Sequence, residues 1–213
     1  VKSVIGRPSS LAVTLKSVAI GGSLIAGFDV SAIGDSDISG GIAAGKNIGP
    51  ITIFGSTTGQ VTNFSLAQIL AGVADAPVGG KLSGIGKIVV KGNVEYADIR
   101  GGVLAPGFTG GPNLDAQIGA VSVGMNWIAS NLTAGIAMLG SDTLALHSRI
   151  GAVKIGGQIL GDFMGGSAFT FSAEELASLR IGDTVIPLTP GKRNDLAAIP
   201  LGVTGDVTVV EVN

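Results

Sequence analysis

His147 is the only histidine in the chain, set in the run LALHSR at 144–149 with Asp142 as the nearest acid in sequence. An imidazole serves as a general base or metal ligand when acidic or ligating partners surround it. A single histidine with no second ligand close by reads instead as a surface or corner residue. Asp98 and Arg100 flank Ile99 and, on a strand, would share its outward face, with Lys91 and Glu95 in the same stretch. A glycosidase needs two carboxylates about 5 to 9.5 Å apart. The matching positions of neighbouring units hold Gln68, Leu70, Asn131 and Thr133, so the expectation is an exposed ion pair of small energetic weight. Asp29, Asp35 and Asp37 gather loosely, and the Asp35/Asp37 spacing is that of the opening of a calcium loop, without its glycine and distal glutamate. The run GGPNLD at 110–115, ending on Asp115, is a single faint match to a calcium-binding nonapeptide repeat. These aspartates either hold calcium at a corner or solvate turns.

No catalytic, cofactor or metal-ligating residue is assigned from these groups, and no enzymatic activity is expected. Tyr96 and Trp127 lie one unit apart and Phe64 sits similarly, so the three form either an aromatic ladder for a glycan or ordinary core and corner packing. Thr52, Thr62 and Thr133 do not fall at equivalent positions, which argues against a threonine-lined ice-binding face. Asn63 and Asn131 match the glycosylation acceptor pattern by accident. The chain has no cysteine, which rules out disulfides, thiolate metal sites and a thiol nucleophile. Thirteen basic against fifteen acidic side chains give a net charge of -2, with no basic cluster beyond Lys192 and Arg193. Nucleic acid is therefore not expected as a partner.

What must position these groups is a recurring phrase. It is written at 15–21 (LKSVAIG), 48–54 (IGPITIF), 85–91 (IGKIVVK), 118–124 (IGAVSVG), 150–156 (IGAVKIG) and 176–182 (LASLRIG), at intervals of 33, 37, 33, 32 and 26 residues. A period of that size marks a stacked repeat architecture. Within each phrase two apolar residues stand two apart, as in Val18/Ile20, Ile51/Ile53, Ile88/Val90, Val121/Val123, Val153/Ile155 and Leu179/Ile181. Alternate side chains of a strand point to opposite faces, so these pairs belong inside and the residue between them outside. Stacked in register, they would form two interior columns, as a parallel β-solenoid requires.

A second phrase ending in glycine follows at 24–27 (LIAG), 69–72 (ILAG), 99–102 (IRGG) and 132–135 (LTAG), with 38–41 (ISGG) a further match. It predicts a short strand ending at a corner where φ is positive or the backbone approaches closely. The loops vary more, notably at 55–60 and in the Gly/Pro cluster at 105–112, so they map to one edge of the stack. Ser172 and Glu175 have capping-box spacing, which predicts one helical turn at most before a strand from about Leu179. Pro187, Pro190 and Pro200 then break regularity, and 203–212 reads as a closing strand. The region 163–213 is the expected C-terminal cap, after repeat rungs over 1–162.

The start, VKSV at 1–4, already reads as LKSV at 15–18, so the chain is expected to be a processed or excised piece. Its first fifteen residues either leave an edge for preceding repeats or a neighbouring copy, or fold Arg7, Pro8, Ser9 and Ser10 back as a cap. The uncharged run 116–141 is 26 residues long, but Gln117, Asn126, Asn131, four glycines and period-two alternation argue against a membrane span. Glycine is frequent, at 36 residues, and 46% apolar with 13% charged residues argues against disorder.

With these phrases, and with the tail segments 181–190 and 203–212, the chain resembles the large extracellular β-strand-repeat surface proteins of planctomycete-type bacteria. The resemblance implies secretion and a surface or matrix role, and it carries over no catalytic residue. The combined expectation is one domain over 1–213: an all-β, right-handed parallel β-solenoid of about five to six rungs, roughly 25 to 30 Å long. Its expected role is structural or adhesive, through self-association or as the end of a longer rod, without membrane insertion. The alternative is a carbohydrate-binding or carbohydrate-active module.

Overall fold

A computed structural model describes residues 14–26, 40–59, 66–72, 84–102, 116–135, 147–162 and 167–212. Asp29, Asp35, Asp37, Thr62, Asn63, Phe64, Asp115 and Asp142 lie outside the described residues, as do 1–13, all of 105–112 and positions 38–39 of the match at 38–41. The protein is all-β, with mostly parallel sheets in a β-helix-like arrangement. Among the described residues no helix is long and apolar enough to cross a membrane.

Three sheets are visited in a constant order. Sheet I collects the first phrase: β1 (Val18–Ile20), β4 (Ile51–Ile53), β8 (Ile88–Val90), β12 (Val121–Val123), β15 (Arg149–Ile155) and β18 (Glu175–Ile181), with β7 (Gly84–Ile85) and β11 (Gln117–Ile118) beside them. Sheet II holds β2 (Leu24–Ile25), β5 (Thr57–Thr58), β9 (Val94–Glu95), β13 (Trp127–Ile128) and β16 (Ile159–Leu160). Sheet III holds β3 (Gly41–Ala44), β6 (Ala67–Ala71), β10 (Ala97–Gly101), β14 (Asn131–Ala134), β17 (Phe169–Ala173) and β21 (Val207–Glu211). These strands pair in parallel. The two antiparallel strands are β19 (Thr184–Ile186) on β18 and β20 (Ile199–Leu201) on β21.

The interior columns form as the alternation predicts. Val18, Ile51, Ile88, Val121, Val153 and Leu179 are in register, as are Ile20, Ile53, Val90, Val123, Ile155 and Ile181. All are buried except Ile20 and Ile181 at the two ends, while the intervening Ala19, Lys154 and Arg180 are exposed. A third column runs through Leu15, Ile48, Ile85, Ile118, Ile150 and Leu176. The glycine after it has a steric reason. A Cβ on Gly86, Gly119 or Gly151 would lie 2.9 Å from the carbonyl carbon of the equivalent glycine one pass earlier, closer than real Cβ atoms approach.

The second phrase is partly in a different place from that expected. Ile69, Ile99 and Leu132 align on sheet III, and Gly72, Gly102 and Gly135 close their strands at φ of 77°, 79° and 71°, as the phrase implies. Their first-pass equivalent is Ile42, because Leu24 pairs with Thr57 on sheet II. The helical turn proposed around Ser172 is also corrected. Residues 169–173 and 175–181 are strands, and the sixth phrase is extended from Glu175 onward. Long-range parallel pairing with β15 overrides the local capping signal.

A feature not read from the sequence lies at the corner between sheets I and II. Ser23 Oγ accepts from the amide of Ser56, Ser56 Oγ from Asn93, Asn93 Oδ1 from Asn126, and Asn126 Oδ1 from Gln158, at 2.9 to 3.1 Å. Each polar side chain thus satisfies a corner amide of the next pass, which the turn would otherwise leave unpaired.

Candidate functional site

His147 finds an acidic partner 28 residues away, at Glu175. Gln117, Arg149 and Glu175 are in register on sheet I, and β15 and β18 bring the Glu175 carboxylate beside the imidazole. His147 Nε2 lies 2.7 Å from Glu175 Oε2, Arg149 Nε donates to Oε1 at 3.0 Å, and Gln117 Nε2 donates to the His147 carbonyl at 2.8 Å. Burial works to raise the Glu175 pKa, but the hydrogen bonds from His147 and Arg149, with their charge, outweigh it and hold the carboxyl below its ordinary range. Ser148 is not aligned as a nucleophile for this pair. It is buried, its amide donates to Glu174 Oε2 at 2.5 Å, and its Oγ accepts from the Glu174 amide at 2.9 Å.

Two further buried carboxylates continue the cluster toward the C-terminus. Arg193 grips Glu174 Oε1 through Nε and Nη2, and its amide donates to the Glu174 carbonyl at 2.7 Å. Glu211 accepts from the amides of Leu176, Asn194 and Asp195 at 3.1, 2.8 and 3.2 Å. Asp195 in turn accepts from Thr189 N and Oγ1. The arrangement ties segment 187–198 to the last strands of sheets I and III. Among the described residues, no group of three or more acidic, histidine or cysteine side chains is placed to hold a metal ion.

Asp98 and Arg100 are joined on β10, with Arg100 Nε donating to Asp98 Oδ1 at 2.6 Å. The expected exposed pair is half wrong, since Asp98 is only 3% exposed. Burial raises its pKa, and the hydrogen bond and charge of Arg100 only partly offset this. Its register neighbours are Gln68 and Asn131, so the neighbouring strands bring no second carboxylate to it. Glu95 lies on sheet II and Lys91 on the exposed turn before it, away from this strand. Asn131 Oδ1 accepts from the Thr170 amide at 3.0 Å.

The aromatic ladder does not form between Tyr96 and Trp127. Trp127 is fully buried between Val94 and Ile159, with its ring 4.8 Å from that of Phe171 and its Nε1 donating to the Ser130 carbonyl at 3.0 Å. Tyr96 stands two residues beyond Val94, where the next pass has Ala129, and both take positive φ, at 46° and 43°. Thr52 is on sheet I and Thr133 on sheet III, as inequivalent as their spacing suggested. No family model matches the chain, and searches of curated proteins and of solved structures also return no match.

Proposed function

We propose that this chain is an extracellular structural or adhesive element: a right-handed β-solenoid of about six coils, closed by a C-terminal cap and forming the end of a longer rod or joining another copy end to end. The observation that carries the reading is the difference between the two ends of the sheets. The outer edges of β18 and β21 are covered by the short antiparallel β19 and β20, which end the parallel ladder, and after β16, the last strand of sheet II, the amides of Gly161 and Asp162 are taken by Thr204 Oγ1 and Asp206 Oδ2. At the other end β1, β2 and β3 each pair with one strand only, among the described residues. Covered edges stop strand addition and uncovered ones invite it. The resemblance to planctomycete-type surface repeats supports the outside-the-cell setting. In this reading the buried carboxylates act as ties and the protein works by shape and contact, not by turnover.

Electron microscopy and light scattering of the purified chain test this. Association should run through the first-strand end and stop at pairs, giving particles no longer than two chains. Long filaments would show that the C-terminal end also adds strands, which the cap reading forbids. Uniform single particles at every concentration would remove the end-to-end half of the proposal.

A further inference from the structure

The charged side chains are sorted by type. Every described arginine is committed to a carboxylate: Arg100 to Asp98, Arg149 to Glu175, Arg180 to Asp183 and Arg193 to Glu174. None of the six described lysines forms an ion pair among the described residues, and all six are exposed. Five of them, Lys16, Lys46, Lys87, Lys91 and Lys154, lie on sheet I or on the turns that bound it, and only Lys192 lies elsewhere. The acids of that sheet and its last turn, Glu175 and Asp183, are the ones already taken by arginine. The outer side of sheet I therefore carries unopposed positive charge on a protein whose net charge is -2.

The layout of that charge selects a ligand. Lys16, Lys87 and Lys154 belong to the first, third and fifth phrases, two strands or about 10 Å apart along the stack, and stand at the second, third and fifth residues of those phrases, so they cross sheet I on a diagonal. Between them stand small side chains such as Ala19, Thr52, Ala120 and Ser122, which keep the surface flat. Phe54, 59% exposed, sits at the rim on the turn position that Lys91 occupies one pass later, where its ring can stack on the apolar face of a sugar. Charges this sparse do not match a nucleic-acid backbone, which presents one negative charge per ~1.7 Å of duplex. Among the described residues no arginine fork is left over to grip phosphate.

We propose that the outer face of sheet I binds a linear acidic polysaccharide, bearing a carboxylate or sulfate every one or two sugars, laid across the strands. The proposal rests on the reading of the chain as an extracellular element, since that is where such a polymer is met. The test measures binding of the full chain to alginate by calorimetry in 50 and 300 mM NaCl, with dextran, duplex DNA and phosphatidylserine-containing vesicles as comparisons.

Alginate should bind in low salt and weaken sharply in high salt, because charges about 10 Å apart are screened at that ionic strength. The Lys16→Gln, Lys87→Gln, Lys154→Gln triple variant should lose about tenfold in affinity, from three exposed charge contacts of ordinary strength. Phe54→Ala should weaken binding further, whereas Lys192→Gln should leave it unchanged. An unaltered melting temperature shows that each variant is folded. Equal alginate affinity in the triple variant, no alginate binding in low salt, equal binding of dextran, or tighter binding of DNA or vesicles would each overturn the proposal. Failure here with end-to-end pairs still visible by microscopy would sink the glycan alone; pairs absent with alginate bound would sink only the assembly reading.

Discussion

The first and last passes of the chain finish the same stack by different means. At the first, Val18 and Leu24 are 8% and 7% exposed, and β1, β2 and β3 rest on their neighbours through ladder hydrogen bonds and apolar contact. At the last, the covering strands come with Glu174 and Glu211, nearly buried carboxylates that accept from the backbone amides of Ser148, Leu176, Asn194 and Asp195. The difference teaches that a parallel stack is closed by finding acceptors for its last amides as well as by adding apolar surface such as Leu201 and Ile199. A carboxylate with two oxygens and several lone pairs meets that need at low cost in chain length.

Substitutions can break this comparison. The largest effect is expected in the middle of the stack. Ile88→Ala should cost about 4 kcal/mol, from lost burial and the cavity left between Ile51 and Val121. Val18→Ala, at the first edge, should cost only about 1.5 kcal/mol, and chemical denaturation of both variants measures the gap. Glu211→Ala should cost about 3 kcal/mol by stranding its three amide donors. Hydrogen exchange should then quicken over 187–198 and stay unchanged over 14–26; equal quickening at both ends would mean that the closure is not local. Thr57→Val should go the other way and stabilise by about 1 kcal/mol, because the Thr57 hydroxyl is fully buried on sheet II without a partner.

The smallest effect is on pH dependence, and the two carboxylates should oppose one another. Glu175 has a depressed folded pKa, so its contribution is present above the ordinary carboxyl range and is lost as pH falls through the lower folded value. Asp98 has a raised folded pKa, so its ionisation weakens the fold as pH rises from the ordinary value through the raised one. Glu175→Gln should flatten the acid side of a melting-temperature profile. Asp98→Asn should flatten the stretch just above it, and an unchanged profile in either variant would show that the group does not couple to folding.

The parts of this fold legible in the sequence were those set by alternation. Ile51, Ile88 and Val121 share a row because a strand repeats every two residues, and six copies of one phrase repeat that signal. What depended on the length of chain between phrases or on a two-residue offset was harder to read. Leu24-Ile25-Ala26-Gly27 mimics the glycine-ended phrase, yet Ile42 occupies that row, because the intervening stretch differs in length from pass to pass. Tyr96 and Trp127 looked equivalent, but Trp127 aligns with Val94 and so turns inward. The corner ladder left no clear mark, since serine and asparagine can each supply its acceptor. His147 and Glu175 meet through strand register across 28 residues, and nothing local in either stretch announces the pairing.

The corner ladder, together with the glycine column, makes the joints between the middle passes chemically alike. A whole pass can therefore be duplicated or excised without creating an unfamiliar junction, provided the tied segment at the end is kept. Length in such a protein is a digital quantity, adjustable by gene-level copying in steps of about 4.8 Å, with the terminal fastening inherited intact.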